Sequence, residues 1–338
     1  MKPSFEEAMR ESSDVQRLIA GFEKKMPCIC PMCERRAIDS HSQQKEGALR
    51  QIARSGRVVC VGNRLMDYSK RLYKDVRDAD PDICEVGIGQ ASVFRAFCSK
   101  HDSELFSSIE QGRRLEYGNP EQIVALYRRA FSYMFYCEMK ETYIWGLKAK
   151  EHNRQFTEGL FLASRPKFFC TLERYLPRMW DANVYDHLGW EWRIIEKDVR
   201  VSCTTFIPAF PVVEMTEFYA RHIDRKTLKM TCPYPFVTFS LIPEGKVTHA
   251  VMIWDKLSMP MVNGLRKQMR TGDPQQLAYS INDFVFVRNS DFCVAPELWE
   301  SLPENVRQQV RYSMRTLPTQ DLSKVVIPPI IRFDRVRN

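Results

Sequence analysis

Two short pairs of metal-ligand residues stand far apart in this chain: Cys30-Pro-Met-Cys33 and Cys98-Ser-Lys-His101, with 64 residues between Cys33 and Cys98. A CxxC lets two thiolates reach one ion from a single tight turn. A CxxH at a helix start places a thiolate where the helix dipole favours it. Together Cys30, Cys33, Cys98 and His101 offer one tetrahedral zinc site, and a site that joins them closes a long loop, so it constrains the fold of the first third of the chain. Cys28 extends the first pair to CxCxxC and can exchange with Cys30 as a ligand.

The other cysteines, at 60, 84, 137, 170, 203, 232 and 293, have no ligand-like partner in sequence and read as small buried hydrophobes. No apolar run approaches the roughly 20 residues that span a bilayer, and MKPSFEEAMRESSD has no apolar signal core. A cytoplasmic location without membrane contact is therefore expected. There is no GxxxxGK[ST] and no GxGxxG, so a nucleotide cofactor has no support, and the histidines at 152, 187, 222 and 249 form no HExxH.

At 338 residues the chain exceeds the size at which a single core usually stops growing, and more than one domain is expected. Leu49, Ile52 and Ala53, followed by Gly56, predict a helix within 43–56; RVVCVG predicts a strand; 78–92 is turn-rich and reads as a loop. FCSKHDSELFSSIEQG predicts a helix over 97–112. A long helix should follow from Pro120 to about His152, with Ile123, Leu126, Tyr127, Ala130, Phe131, Met134, Phe135 and Met139 on its apolar face.

The later part is β-rich: VRVSCTTFIPAF, YPFVTFSLIPEG and KVTHAVMIWDK predict an antiparallel sheet with a turn at Pro243-Glu244-Gly245. Helices are expected at 259–270, 274–283 and 296–316. The expected class is α+β: a zinc-held module over 1–115 with a helical insertion, a connecting helix over 116–160, and an α+β domain over 161–338 with an antiparallel sheet.

Positive charge is concentrated in the insertion. Residues 34–77 hold eleven Lys or Arg against five Asp or Glu. Arg35, Arg36, Arg50, Arg54 and Arg57 lie directly after the CxxC, and such a concentration fits a phosphate polyanion, so nucleic acid, DNA rather than RNA, is the expected partner. A solvated face is the alternative for any one of these arginines. Trp180, Tyr185, Trp190 and Trp192 beside Arg178 and Arg193 form an aromatic cluster that could stack bases, although packing is the commoner use.

A zinc knuckle, intervening strands and a helix whose first turn supplies the last ligands together resemble a treble clef. Cys30, Cys33, Ser40, His41, Phe97, Cys98, His101 and Asp102, with Leu105, Phe106 and Glu110 downstream, also resemble a group of uncharacterised bacterial proteins, and the setting this implies includes phage defence. Among characterised treble clefs the likeness is to HNH nucleases. That resemblance implies that His41 is a general base on water, that Asn63 orients it, and that Asp39, with Asp102, carries a catalytic Mg2+ or Mn2+.

The chain departs from the family pattern at Ser40, where a metal ligand usually precedes the histidine, and in its long insertion. Two readings of His41 stay open: a base, or the fourth zinc ligand with His101 displaced. A non-enzymatic, zinc-organised interaction or scaffold protein, docking a protein partner through the C-terminal domain, is the alternative to a nuclease.

Overall fold

The computed structural model describes residues 21–61, 83–110, 112–151, 176–209, 221, 235–259, 261–288, 291–316 and 327–337. Asn63, most of the lead-in before the knuckle and the insertion's basic residues at 64–77 lie outside them.

The chain is mixed α+β, and its sheets are antiparallel throughout. Strand β1 (Asp39–His41) follows the knuckle, β2 (Arg57–Val61) and β3 (Ile83–Gly87) form a hairpin in the insertion, and β4 (Val93–Arg95) returns to pair with β1. Helix α1 (Ser99–Phe106) follows, then the long α2 (Pro120–Glu151). Strands β5 (Leu188–Ile195), β6 (Val201–Pro208), β7 (Phe236–Glu244) and β8 (Val247–Asp255) come next. Helices α3 (Asn263–Arg270) and α4 (Pro274–Asn282), strand β9 (Phe292–Val294), helices α5 (Pro296–Ser301) and α6 (Glu304–Thr316) and strand β10 (Val336–Arg337) complete the order.

An eight-stranded sheet runs β10-β5-β8-β7-β6-β9-β2-β3. Its central strands alternate faces, as a sheet covered on both sides requires. Phe236, Ile242, Val251 and Ile253 join the core formed with α2. Val237, Phe239, Leu241, Ala250, Met252 and Trp254 join the core that holds Leu265, Leu277 and Val310 of α3, α4 and α6. All eight residues of the expected α2 face lie in or against the first core, except Ala130, which is buried all the same.

The expected boundary at 115 is crossed by this sheet. Strand β2 pairs with β9, so the insertion of the N-terminal module is built into the C-terminal sheet. Ser42 Oγ donates to Asp291 Oδ2 at 2.7 Å, and Gln51 grips the β7–β8 turn, donating to Gly245 O and accepting from its N–H. That turn is Gly245-Lys246, with Gly245 at φ 63°, one step later than expected; Pro243 and Glu244 still pair with β8. The first central residue needs positive φ, and glycine supplies it without a Cβ penalty.

Three further expectations shift. The 78–92 stretch contains β3, because Ile83–Gly87 finds a full set of partners on β2 despite its turn-rich flanks. The expected helix over 43–56 is a wide helical turn over 45–52, closed by Leu49 N–H to Gln44 O and stopped where Ser55 and Gly56 take positive φ. The helix expected over 296–316 breaks into α5 and α6 at Pro303, whose ring disfavours helical backbone in the residue before it.

The aromatic cluster is packing. Trp192 is buried and donates its indole N–H to His249 Nδ1 at 3.0 Å, Trp180 meets Phe97 edge-on, and Arg178 is held by Asp255 at 2.6 Å. Gly189, opposite Trp254, leaves no room for a side chain: a Cβ there would fall 2.5 Å from the indole. Gly189→Ala is therefore expected to cost about 1–3 kcal/mol in urea unfolding. An unchanged midpoint would contradict this packing. Among the described residues no helix is long and apolar enough to cross a membrane.

Candidate metal centre and the histidine beside it

The knuckle begins as a two-stranded ribbon. Cys28 N–H donates to Arg35 O and Ala37 N–H to Met26 O, with Pro27 opposite Arg36. Along this ribbon Met26 and Cys28 point inward and are buried, whereas Pro27 is exposed. Cys30 then starts a turn closed by Cys33 N–H to Cys30 O at 3.2 Å. Pro31 occupies the second position and Met32, fully exposed at φ 62°, the third, the pattern of a type II turn.

The ribbon is fixed against the far pair of ligands. Ile29 N–H donates to Ala96 O and Ile38 N–H to Phe97 O, at 2.8 and 2.7 Å, which carries the knuckle onto the chain entering α1. Cys98 is the residue that caps α1, and His101 lies in its first turn. Knuckle, β1/β4 hairpin and α1 thus close around one point.

Four donors meet there: the thiols of Cys28, Cys33 and Cys98 and a ring nitrogen of His101, all within 4.8 Å of one another. Cys28 Sγ lies 3.3 Å from His101 Nδ1, Cys98 Sγ 3.5 Å from the same nitrogen, and Cys33 Sγ 3.9 Å from Cys98 Sγ. A tetrahedral zinc with the usual bond lengths sets sulfur–sulfur edges of about 3.8 Å and sulfur–nitrogen edges of about 3.5 Å. The set fits such an ion.

Cys33, Cys98 and His101 are three of the four expected ligands; the fourth position is filled by Cys28, and Cys30 stands outside the set. The reason is local. Cys28 ends the inward-facing side of the ribbon, whereas Cys30 has entered the turn and is half-buried beside the set. The ribbon alternation of Met26, Pro27 and Cys28 was the available signal.

The electrostatics separate the thiols. Burial pushes Cys28 up to about 12, and burial with the nearby Cys33 and Cys98 pushes Cys30 up to about 11. For Cys98 burial acts upward too, but the backbone N–H groups of His101 and Lys100 and the Cys33 and Cys28 thiols hold it below the usual thiol value.

His41 ends β1 outside this set, half-buried, and the reading of it as the fourth zinc ligand loses to His101. Its Nδ1 lies 2.9 Å from Ala91 O, which can only accept, so Nδ1 carries the proton and Nε2 keeps its lone pair. Burial first, then the charges of Lys45 and Arg129, hold its pKa below 6.5, against the hydrogen bond to Ala91 and the opposing charge of Glu110. Glu110 is itself ion-paired to the buried Arg129, whose guanidinium lies 4.5 Å over the Phe106 ring.

Asp39 shares the outward face of β1 with His41, as the strand alternation requires, while Ser40 between them is buried. The Asp39 carboxylate is taken by Arg95 across the hairpin at 2.5 Å. Asp102 is half-buried in the first turn of α1 and makes no side-chain cap. Among the described residues the one converging donor set is that of Cys28, Cys33, Cys98 and His101; Asp39 and Asp102 do not form a second one with His41.

The arginines divide. Arg54 is clasped by Glu300 and Glu85 at 2.5 and 2.8 Å, Arg57 reaches Glu85 at 3.6 Å, and Arg50 pairs with Glu46 at 2.6 Å. The Arg50 partner is its i,i+4 neighbour, whereas Arg54 and Arg57 spend their charge on carboxylates that sequence order did not reveal. Arg35 and Arg36 are exposed at the knuckle and have no carboxylate partner among the described residues. Asp291, buried under Ser42 and Gln43, was also missed; only the fold brings it to the residues after His41. No family model, curated protein or solved structure matches the chain.

Proposed function

We propose that the chain is a zinc-organised, nucleic-acid-interacting protein in which His41 acts as the general base of an HNH-type phosphodiester cleavage. The observation that carries this reading is the Nδ1–H bond from His41 to Ala91 O, which orients the ring and leaves Nε2 free to accept a proton. Burial, and after it the neighbouring cations, favour the neutral ring near pH 7, the form a base requires.

Zinc, when bound by Cys28, Cys33, Cys98 and His101, supplies the fold that holds β1 against β4 and α1. In cleavage, His41 Nε2 takes a proton from water as the water oxygen bonds to phosphorus and the bond to the leaving oxygen breaks. Mg2+ or Mn2+ is what the family resemblance implies for the developing charge. The described residues around His41 do not assemble a donor set for it, and no step is assigned to it.

Arg35 and Arg36 present charge beside the knuckle and are the residues for phosphate contact. If they neutralise phosphates, binding to random DNA should weaken with salt, and Arg35→Glu with Arg36→Glu should lower affinity about tenfold or more at 50 mM salt. Fluorescence anisotropy against salt concentration measures it. Equal binding by the double variant would contradict the reading and favour a zinc-organised protein-interaction module instead. That alternative draws on the ion pairs of Arg50, Arg54 and Arg57, which join three of the expected phosphate-binding arginines to carboxylates within the chain.

A further inference from the structure

A cleft of about 330 Å3 opens between residues 44–51, residues 109, 110 and 112–114, and the end of β7. It is at the small end of the range for small-molecule sites. Each carboxylate in its wall already has a partner. Glu46 is paired with Arg50 at 2.6 Å, Glu110 with the buried Arg129, and Glu244 accepts Leu115 N–H at 2.9 Å and lies 3.3 Å from His249 Nε2.

The unspent groups are donors. Arg113 and Arg114 are exposed and hydrogen-bond no carboxylate among the described residues, although Arg114 acts on Glu244 through space. Gln44, 7% exposed, has a buried Nε2 with no acceptor. The backbone that carries the two arginines is fixed at both ends, by Arg113 N–H to Glu110 O and by Leu115 N–H to Glu244. Gly47 leaves room for the Gln44 amide, since a Cβ there would fall 2.9 Å from Gln44 Oε1.

A wall whose carboxylates are all paired and whose two exposed guanidiniums meet no carboxylate at hydrogen-bond distance selects a negatively charged ligand. We infer that this cleft binds a phosphate-bearing ligand of about nucleotide size, with Arg113 and Arg114 on the phosphate and Gln44 beside it. The inference deepens the nucleic-acid reading and rests on it for one source of that phosphate, a strand end. A free mononucleotide carries the same chemistry.

The test is calorimetric titration of the full, zinc-loaded chain with 5′-AMP, adenosine and inorganic phosphate, and with a single-stranded dodecamer bearing a 5′-phosphate or a 5′-hydroxyl. We expect 5′-AMP to bind more tightly than adenosine and Arg113→Ala with Arg114→Ala to weaken it about tenfold or more, as loss of charge-assisted bonds should. The melting temperature should be unchanged, because both side chains are exposed. Gly47→Ala, which pushes on the Gln44 amide and alters no charge, should weaken binding by a smaller factor.

A strand-end source predicts tighter binding of the 5′-phosphorylated dodecamer than of its 5′-hydroxyl form. Preference for 5′-AMP with no such difference would keep the cleft as a free-nucleotide site. Equal affinity of parent and double variant for 5′-AMP, or adenosine binding as tightly as 5′-AMP, overturns the inference. The nucleic-acid reading fails separately: if duplex binding is indifferent to salt and to Arg35→Glu with Arg36→Glu while 5′-AMP still binds, that reading falls and the cleft stands.

Discussion

Removing zinc is expected to unfold the knuckle, the β1/β4 hairpin and α1 as one unit. The ribbon at 26–37 is short, and β1 and β4 contribute only three residues each, so the metal must supply much of the energy that closes this loop. Structural zinc in small finger peptides binds with apparent free energies of about 10–16 kcal/mol, and a site without a preformed apo state converts that into folding energy. Hydrogen exchange measured with and without a chelator should show protection lost over 26–41 and 93–106. Protection over β5 to β8 should stay, because those strands are covered on both faces.

Cys98→Ser should reproduce the chelated state. Unchanged protection over 26–41 after complete metal removal would show that packing through Phe97, Phe106 and α2 suffices. Because burial keeps the free Cys28 thiol protonated at neutral pH, metal uptake must also release protons, so the heat of zinc binding should vary with the ionisation enthalpy of the buffer.

Replacing His41 by alanine is expected to lower nicking of DNA or RNA, assayed with Mg2+ and with Mn2+, by about 10²- to 10⁴-fold, the usual contribution of a general base. Zinc content should stay the same, since His41 lies outside the donor set, and the chain should still fold. The sign of the pH effect follows from its lowered pKa. In the unfolded chain the imidazole titrates near 6.5, and in the folded chain it titrates lower, so between the two values the unfolded chain binds more protons.

The neutral ring therefore contributes stability that is present above about 6.5 and lost as pH falls through the folded value. The acid limb of the cleavage rate should likewise lie below 6.5, and His41→Ala should remove this part of the acid dependence of stability. Loss of zinc or of the folded state in His41→Ala would make the residue structural, and absence of cleavage by the parent chain with either ion would contradict the nuclease reading.

The centre was legible in sequence because its chemistry is local: a CxxC needs one turn and a CxxH one helix start, and three of the four donors follow from spacing alone. Cys28 was harder, because choosing between it and Cys30 depends on which residue leaves the ribbon for the turn, and CxCxxC offers both. The faces of α2, β7 and β8 were legible through their 3.6- and 2-residue periods.

Long-range pairing was not. Strand β3 sits among residues with strong turn signals and is recruited by β2, and the three-residue β9 is too short to stand out before β2 and β6 flank it. The positive insertion misled in the same way, because Glu297 and Glu300, which balance Arg54, lie about 245 residues away in sequence. Local pattern cannot report a partner that only the sheet brings near.

The most direct measurement of the central claim is metal content joined to X-ray absorption at the zinc edge, on the parent chain and on Cys28→Ser and Cys30→Ser. A centre built from Cys28, Cys33, Cys98 and His101 predicts one zinc per chain with three sulfurs at about 2.3 Å and one nitrogen at about 2.0–2.1 Å. It predicts the same shell in Cys30→Ser, and loss of zinc or of one sulfur in Cys28→Ser. Less than half an equivalent of zinc in the parent, or a shell unchanged by Cys28→Ser and broken by Cys30→Ser, would contradict it.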